Sequence, residues 1–256
     1  MTFVISNKRQ KVSPIQYTTK SWFIRDYGVK SIDRQCLTRS EIAAEVTGFE
    51  WLDEKTHAFT ILVPGAIGAD KWSFNAFWEA RLFVPRTPNP MNRNTFIHRI
   101  QATYGSSYKF GKQSTQQIGG DNETEWPAPV KDAVADARSR CSLSNPVMVH
   151  VNWYDNAAQI SPHADDEKII TPGSPIFSYT LIRDSPPRTF QVYDKMEYAE
   201  QKMKCAVHKE YTLEDGSLLV MGGSMQYDYV HGLCKPSAPR NYVKSRRINI
   251  TVRFLV

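Results

Sequence analysis

Downstream of Cys141 the chain is written in short strands. Val147–Tyr154, Ile176–Arg183, Thr189–Tyr193, Ser217–Met221, Tyr227–His231 and Arg247–Leu255 are each rich in β-branched and aromatic residues, with turn residues between them. Runs of that length and spacing predict an antiparallel sandwich or barrel. Upstream, Phe59–Gly65 reads as one more short strand ending in a turn. From Lys71 to Phe83 the period changes: Trp72, Phe74, Phe77, Trp78, Leu82 and Phe83 recur near helical spacing. Pro85, Pro88 and Pro90 then mark a loop. Pro127–Arg140 predicts a second helix, with Pro127 and Pro129 near its start. Helices first and strands after give an α+β fold: a jelly-roll core with supporting helices on one side. Residues 1–56 are polar and weakly periodic, and predict an N-terminal extension that is partly ordered; residues 57–256 form the domain.

Composition narrows the class. The chain has 256 residues and a net charge of +6. It is long enough for a sizeable core, and its basic balance favours polyanions as partners without specifying a fold. Cys36, Cys141, Cys205 and Cys234 are scattered, with neither Cys-x-x-Cys spacing nor a disulfide framework. That pattern points to a reducing compartment. With no apolar leader and no run of membrane-spanning length, the expected location is nucleus or cytosol, away from membranes.

Side-chain alternation gives the first chemical signal. In the last strand Arg247, Asn249, Thr251 and Arg253 share one face, and Ile248, Ile250, Val252 and Phe254 the other. In Val147–Tyr154 the three valines face one way, and His150, Asn152 and Tyr154 the other. His163-Ala164-Asp165 and the distant His231 supply two imidazoles and a carboxylate, a set that holds one face of an octahedral ferrous ion and leaves the other open. One intervening residue on a strand would point His163 and Asp165 to the same side. The two arginines offer a planar clamp for a dicarboxylate. Together these residues point to a non-haem iron oxygenase using 2-oxoglutarate. Plainer readings stand beside each signal. His163 and Asp165 are also what a surface loop after Pro162 looks like, and the last strand taken alone reads as one with a solvated polar face. His150 reads as an interior histidine, because the triad is complete without it.

In order along the chain, these segments resemble the AlkB family of iron- and 2-oxoglutarate-dependent nucleic-acid dealkylases, most closely the branch of the animal DNA-repair homologues. The resemblance rests on Gln101-Ala102-Thr103-Tyr104-Gly105, Asn152-Trp153-Tyr154, His163-Ala164-Asp165-Asp166-Glu167, Pro172-Gly173-Ser174-Pro175-Ile176, the segment Gly216 to His231, and Arg247-x-Asn249-x-Thr251-x-Arg253. It covers Phe59 to the C-terminus. It implies a double-stranded β-helix with Fe(II) on His163, Asp165 and His231. It implies that Arg247 takes the distal carboxylate of 2-oxoglutarate, with Asn152, Tyr154, Asn249 and Arg253 completing that pocket. Dioxygen is the second co-substrate. The implied reaction is oxidative demethylation of N1-methyladenine and N3-methylcytosine in DNA or RNA, releasing formaldehyde, succinate and carbon dioxide.

The resemblance also implies a substrate lid at about residues 88–126. There Phe110, with Tyr108, would stack the target base, and Asp166 and Glu167 would meet its edge; Arg99, with Lys109, Lys112 and Lys168, reads as a phosphate contact. Pro88–Asn94, where duplex-repairing relatives carry an apolar wedge, offers only Met91. A single-stranded substrate and a monomeric enzyme are therefore expected. Two other readings stay open: an iron oxygenase acting on protein or lipid, and a non-catalytic nucleic-acid-binding relative.

Overall fold

The computed structural model describes residues 47–67, 72–89, 92–105, 109–110, 113–114, 117–141, 143–155, 158–234 and 246–256. Its strands are β1 (Phe49–Asp53), β2 (Ala58–Val63), β3 (Pro88–Asn89), β4 (Asn92–Phe96), β5 (Ile100–Gly105), β6 (Lys109–Phe110), β7 (Gln113–Ser114), β8 (Gln117–Gly119), β9 (Val147–Asp155), β10 (Ile160–His163), β11 (Ile176–Arg183), β12 (Arg188–Asp194), β13 (Lys209–Leu213), β14 (Leu218–Gly222), β15 (Tyr229–Leu233) and β16 (Arg246–Phe254). The helices are α1 (Phe74–Ala80), α2 (Ala128–Arg140), α3 (Lys195–Gln201) and α4 (Met225–Asp228). A major sheet runs β1-β2-β14-β11-β16-β9-β5-β8, and a minor sheet runs β10-β15-β12-β13. Pairing is antiparallel throughout both sheets except between β5 and β8. This is the expected jelly roll, with α1 and α2 packed on the outer face of the major sheet and α3 and α4 beside β12, β14 and β15.

Alternation sorts the major sheet into two chemistries. Its outer face carries Val147, Val149, Val151 and Trp153 from β9 and Ile248, Ile250, Val252 and Phe254 from β16; these join Phe74, Phe77 and Trp78 of α1 and Val130, Ala133, Val134 and Ala137 of α2 in one apolar core. Polar bonds fix the layers in place: Trp153 Nε1 donates to Phe77 O at 3.0 Å, and Tyr179 OH to Asp136 at 2.8 Å. The inner face is polar and still buried. Arg247, Asn249, Thr251 and Arg253 all lie under 9% exposed, so the solvated strand face that β16 alone would suggest is not what forms. Both faces of the strand are covered, because the minor sheet closes over the polar one. Register then places Arg247 opposite Tyr154, Asn249 opposite Asn152 and Thr251 opposite His150.

Several local expectations shift. The sheet begins before residue 57, since β1 pairs with β2 through Phe49↔Ile61 and Trp51↔Phe59. Residues 1–46 lie outside the described residues. Helix α1 stops at Ala80, because Pro85 cannot continue it. A 3-10 turn, Arg81–Phe83, follows and leaves Leu82 66% and Phe83 88% exposed instead of in the apolar stripe. Gln101–Gly105, expected in the lid, forms β5 inside the major sheet. The segment expected as a lid is thus divided along the chain, with the β3–β4 and β6–β7 pairs on either side of a core strand. Strand β10 ends at His163, so Asp165 follows in a loop and does not share a strand face with it. Among the described residues, no helix is long and apolar enough to cross a membrane.

A glycine pair shapes the turn from β14 into α4, which leads on to His231. Gly223 has φ +65°, and a Cβ there would stand 1.7 Å from His57 O; at Gly222 it would stand 2.1 Å from the Phe59 ring. Gly223→Ala combines an unfavourable backbone region with a clash against main chain. It is expected to destabilise the fold by on the order of 2 kcal/mol, read as a lowered midpoint in urea denaturation.

Candidate active site

The two sheets enclose a cavity of about 330 Å³. His163 ends β10 and His231 lies in β15, and the two are register partners. Their rings therefore meet on one side of the minor sheet, 4.6 Å apart between centroids. His163 Nδ1 lies 3.0 Å from Ser161 O, an acceptor only, so Nδ1 carries the proton and Nε2 is left as a lone pair toward the cavity. Phe190 of β12 stacks on His231 at 5.2 Å and 21°.

Asp165 completes the group by a different route. Its loop is fastened by the backbone N–H, which donates to Gln226 Oε1 at 2.9 Å, and its carboxylate accepts from Arg253 Nη2 at 2.8 Å. One carboxylate oxygen is 3.8 Å from His163 Nε2 and the other 3.9 Å from His231 Nε2. One ligand atom from each of the three residues lies within 4.8 Å of the others, the only such group among the described residues. Burial opposes the charge on Asp165, but the Arg253 guanidinium and the two imidazoles hold its carboxyl well below the usual carboxylate range. Burial lowers the pKa of both histidines, His231 to about 3. Two neutral imidazoles and one carboxylate, gathered without a bound cation, are a donor set that fits Fe(II). The surface-loop reading of His163 and Asp165 fails at Asp165, which is buried.

At the other end of the cavity stands Arg247. It is 3% exposed, donates to Thr180 Oγ1 at 3.0 Å and lies 4.9 Å over the Tyr154 ring. Burial pushes its pKa down to about 10, which still leaves it cationic at neutral pH. Among the described residues it has no carboxylate at ion-pair distance, and its Nε has no hydrogen-bond partner. A buried cation in that state calls for an anion. The donor set at one end and the guanidinium at the other fit a metal-chelating dicarboxylate.

Asn152, Tyr154, Arg247, Asn249 and Arg253, the residues expected around 2-oxoglutarate, all line the cavity. Arg253 Nη2 donates to Asp165 at the metal end. Asn249 spends its amide on Ser178 Oγ and Tyr179 O, at 2.8 and 2.9 Å, which makes it a brace between strands. Arg99, expected to face phosphate, turns inward: its Nε donates to Asn152 Oδ1 at 3.1 Å. Asp166 and Glu167 do not line this cavity, and Asp166 is paired with Lys195 at 2.7 Å. Tyr108 and Lys112 lie outside the described residues, and of Phe110 and Lys109 only the backbone, in β6, is described. His150 is buried in the wall as an interior histidine; burial, Arg253 and Arg99 keep it neutral.

Sequence reasoning missed Gln226 and Arg188. Gln226 belongs to no motif, and its contact with Asp165 spans 61 residues. Arg188 heads a strand whose inward alternation, Arg188-x-Phe190-x-Val192, was the available signal.

Mouse (Mus musculus) DNA oxidative demethylase ALKBH2 is 29% identical over 162 residues, which are 62% of this chain and 63% of that protein, so the match spans less than two thirds of the relative's length. Two solved structures are similar at lower levels. A Pseudomonas putida prolyl-4-hydroxylase has TM-score 0.43 and 14% identity, over 80% of this chain and 96% of its own. HygX from Streptomyces hygroscopicus, with nickel and 2-oxoglutarate bound, has TM-score 0.46 and 12% identity, over 86% and 88%. The profile of the 2OG-Fe(II) oxygenase superfamily matches residues 76–253, a span that takes in the whole cavity. With its jelly roll, its His-Asp-His group and its AlkB-like motifs, the chain belongs to the 2OG-Fe(II) oxygenase superfamily, whose cofactor and co-substrate are Fe(II) and 2-oxoglutarate.

Proposed function

We propose that the protein is an oxidative nucleic-acid demethylase acting on N1-methyladenine and N3-methylcytosine, and that it favours single-stranded DNA or RNA. His163, Asp165 and His231 hold the iron. Arg247 receives the distal carboxylate of 2-oxoglutarate, with Tyr154 beneath the guanidinium. When bound, iron, 2-oxoglutarate and dioxygen supply the oxidation that hydroxylates the methyl carbon, leaving succinate and carbon dioxide; the hydroxymethyl product then sheds formaldehyde. Arg253 and Gln226 orient Asp165, and the apolar residues Phe190, Leu233 and Ile160 limit water in the cavity. The protein acts as a monomer in the nucleus or cytosol.

The observation that carries the nucleic-acid reading is the basic character of the segment that supplies Ile97 and Arg99 to the cavity wall. Ile97 and Arg99 line the cavity, and they sit within residues 80–120, a stretch that holds Arg81, Arg86, Arg93, Arg99, Lys109 and Lys112 and no Asp or Glu. Such a segment favours a polyanion. The likeness to a mouse DNA oxidative demethylase supports the same substrate class. The reactive edge of either base is its pairing edge, so the base must leave a duplex or begin unpaired.

The test is formaldehyde release from matched methylated oligonucleotides at fixed salt, since phosphate binding depends on salt. The single strand is expected to react faster, because it avoids an unstacking cost of a few kcal/mol. Phe110→Ala should slow both substrates, as stacking contributes roughly 1–3 kcal/mol. Met91, the residue expected as a wedge, lies outside the described residues, whereas Phe96 is 53% exposed beside Ile97. Equal or faster duplex repair that drops in Phe96→Ala would overturn the single-strand preference and make Phe96 the wedge. Succinate formation without formaldehyde from any oligonucleotide would favour a protein or lipid substrate instead.

A further inference from the structure

Arg188 is a buried guanidinium two residues along β12 from the cavity-lining Phe190, and nothing so far accounts for its charge. It opens β12 and points between the sheets on the same face as Phe190 and Val192. It is 3% exposed. Its Nη2 donates to Ala158 O at 3.0 Å and also to Cys234 O. Its Nη1 is buried with no hydrogen-bond partner among the described residues, and no carboxylate among them lies at ion-pair distance. Carbonyl contacts satisfy donors but leave the charge without a counter-ion.

Arg188 sits against the residues that carry Arg247: Ala158, whose carbonyl it bonds, packs in one cluster with Tyr154, Phe190 and Leu233, and Arg247 lies 4.9 Å over the Tyr154 ring. After burial and the Tyr154 hydroxyl, the Arg188 guanidinium is the next influence on the Arg247 pKa, and it lowers it; Tyr154 in turn acts on Arg188. Both guanidiniums thus border the cluster that holds Tyr154, and no Asp or Glu among the described residues is among the influences on either. Like charges placed together in a poorly solvated corner repel, and an anion between or beside them relieves both.

We propose that Arg188 is a positioning residue for the co-substrate: a second buried cation that acts through Arg247 and Tyr154 to favour 2-oxo acids bearing a distal carboxylate over those without one. The inference rests on the reading that Arg247 receives that carboxylate. Arg188 does not line the cavity itself, so it works as a fixed field behind the contacting residues and not as a ligand.

The experiment measures equilibrium binding without turnover. Full-length protein loaded with Mn(II) is titrated calorimetrically with 2-oxoglutarate and with 2-oxovalerate, which has the same chain length but no distal carboxylate. Arg188→Met is expected to weaken 2-oxoglutarate binding by roughly five- to tenfold and to leave 2-oxovalerate unchanged. Arg188→Lys, which keeps the charge, should restore most of the difference. If Arg188→Met folds poorly, Arg188→Gln decides, because it keeps a donor for the two carbonyls and loses only the charge. Equal weakening of both ligands, or none, would reduce Arg188 to a brace for Ala158 and Cys234 and overturn the inference. Arg247→Ala runs in parallel. Normal 2-oxoglutarate binding in that variant removes the pocket assignment and this inference with it; weakened binding there, beside normal binding in Arg188→Met, removes this inference alone.

Discussion

Asp165→Ala is expected to abolish turnover and to cut Fe(II) affinity by more than about a hundredfold, since even changes behind a metal ligand cost roughly ten- to hundredfold. The carboxylate is one of three protein donors in the group, and the only anionic one. A second effect follows from its other bond. Arg253 is 4% exposed, and the carboxylate is the anion it faces at 2.8 Å. Removing one member of a buried ion pair strands the other, at about 3–5 kcal/mol. The metal-free Asp165→Ala protein should therefore also unfold at lower denaturant. His231→Ala separates the two effects: it removes a metal donor and leaves the Arg253–Asp165 pair intact, so it should lose iron and turnover with a smaller loss of stability. Anaerobic iron titration and urea denaturation of both variants check this, and wild-type turnover in either would remove the metal assignment.

The order in which sequence and structure agree has a physical pattern. Strands β9, β11 and β16 were legible because each runs eight or nine residues with strict alternation, and a period of two fixes faces without knowledge of the partner. The polar faces of β9 and β16 could be listed before any pairing was known. What alternation cannot supply is what covers a face. Read alone, β16 shows solvent on its arginine side; only the minor sheet, whose strands lie between Ile160 and Leu233, makes those arginines interior. Short or weakly patterned strands were lost for the complementary reason. β1 and β13 run only five residues each, and their partners supply the order. β5 carries a local motif that suggests a lid segment, yet all six of its residues are buried. The same limit holds in the cavity. The three donors, Arg247 and the cavity-facing Asn152 and Tyr154 carry a residue type and spacing that imply their chemistry. Gln226, Arg188 and the Arg253–Asp165 pair are products of tertiary contact. Two arginines six residues apart on one strand face look alike in sequence, and only tertiary contact separates them: Arg247 bonds Thr180, whereas Arg253 bonds Asp165.

Arg247→Ala carries the largest expected effect on co-substrate binding. The guanidinium is buried, fixed by Thr180 Oγ1 at 3.0 Å, and has no carboxylate partner among the described residues. A charge-assisted pair with the distal carboxylate would contribute about 1.5–3 kcal/mol, so the Michaelis constant for 2-oxoglutarate should rise roughly ten- to hundredfold. The constant for the oligonucleotide should change little. Lys at this position should rescue only part of the loss, because an ammonium cannot form the planar two-bond fork and loses the guanidinium's stacking on Tyr154. Stability gives an independent reading with a distinct sign. Without co-substrate, wild type holds an uncompensated buried cation, so removing it costs less than truncating a paired residue, and Arg247→Ala should keep nearly the wild-type melting temperature. With 2-oxoglutarate at about one hundred times its Kd, wild type should gain about 2.7 kcal/mol from binding, and the variant much less at the same concentration. Equal stabilisation of the two proteins by 2-oxoglutarate, together with an unchanged Michaelis constant, would mean that the distal carboxylate lies elsewhere in the cavity and that the buried charge of Arg247 answers to another ligand.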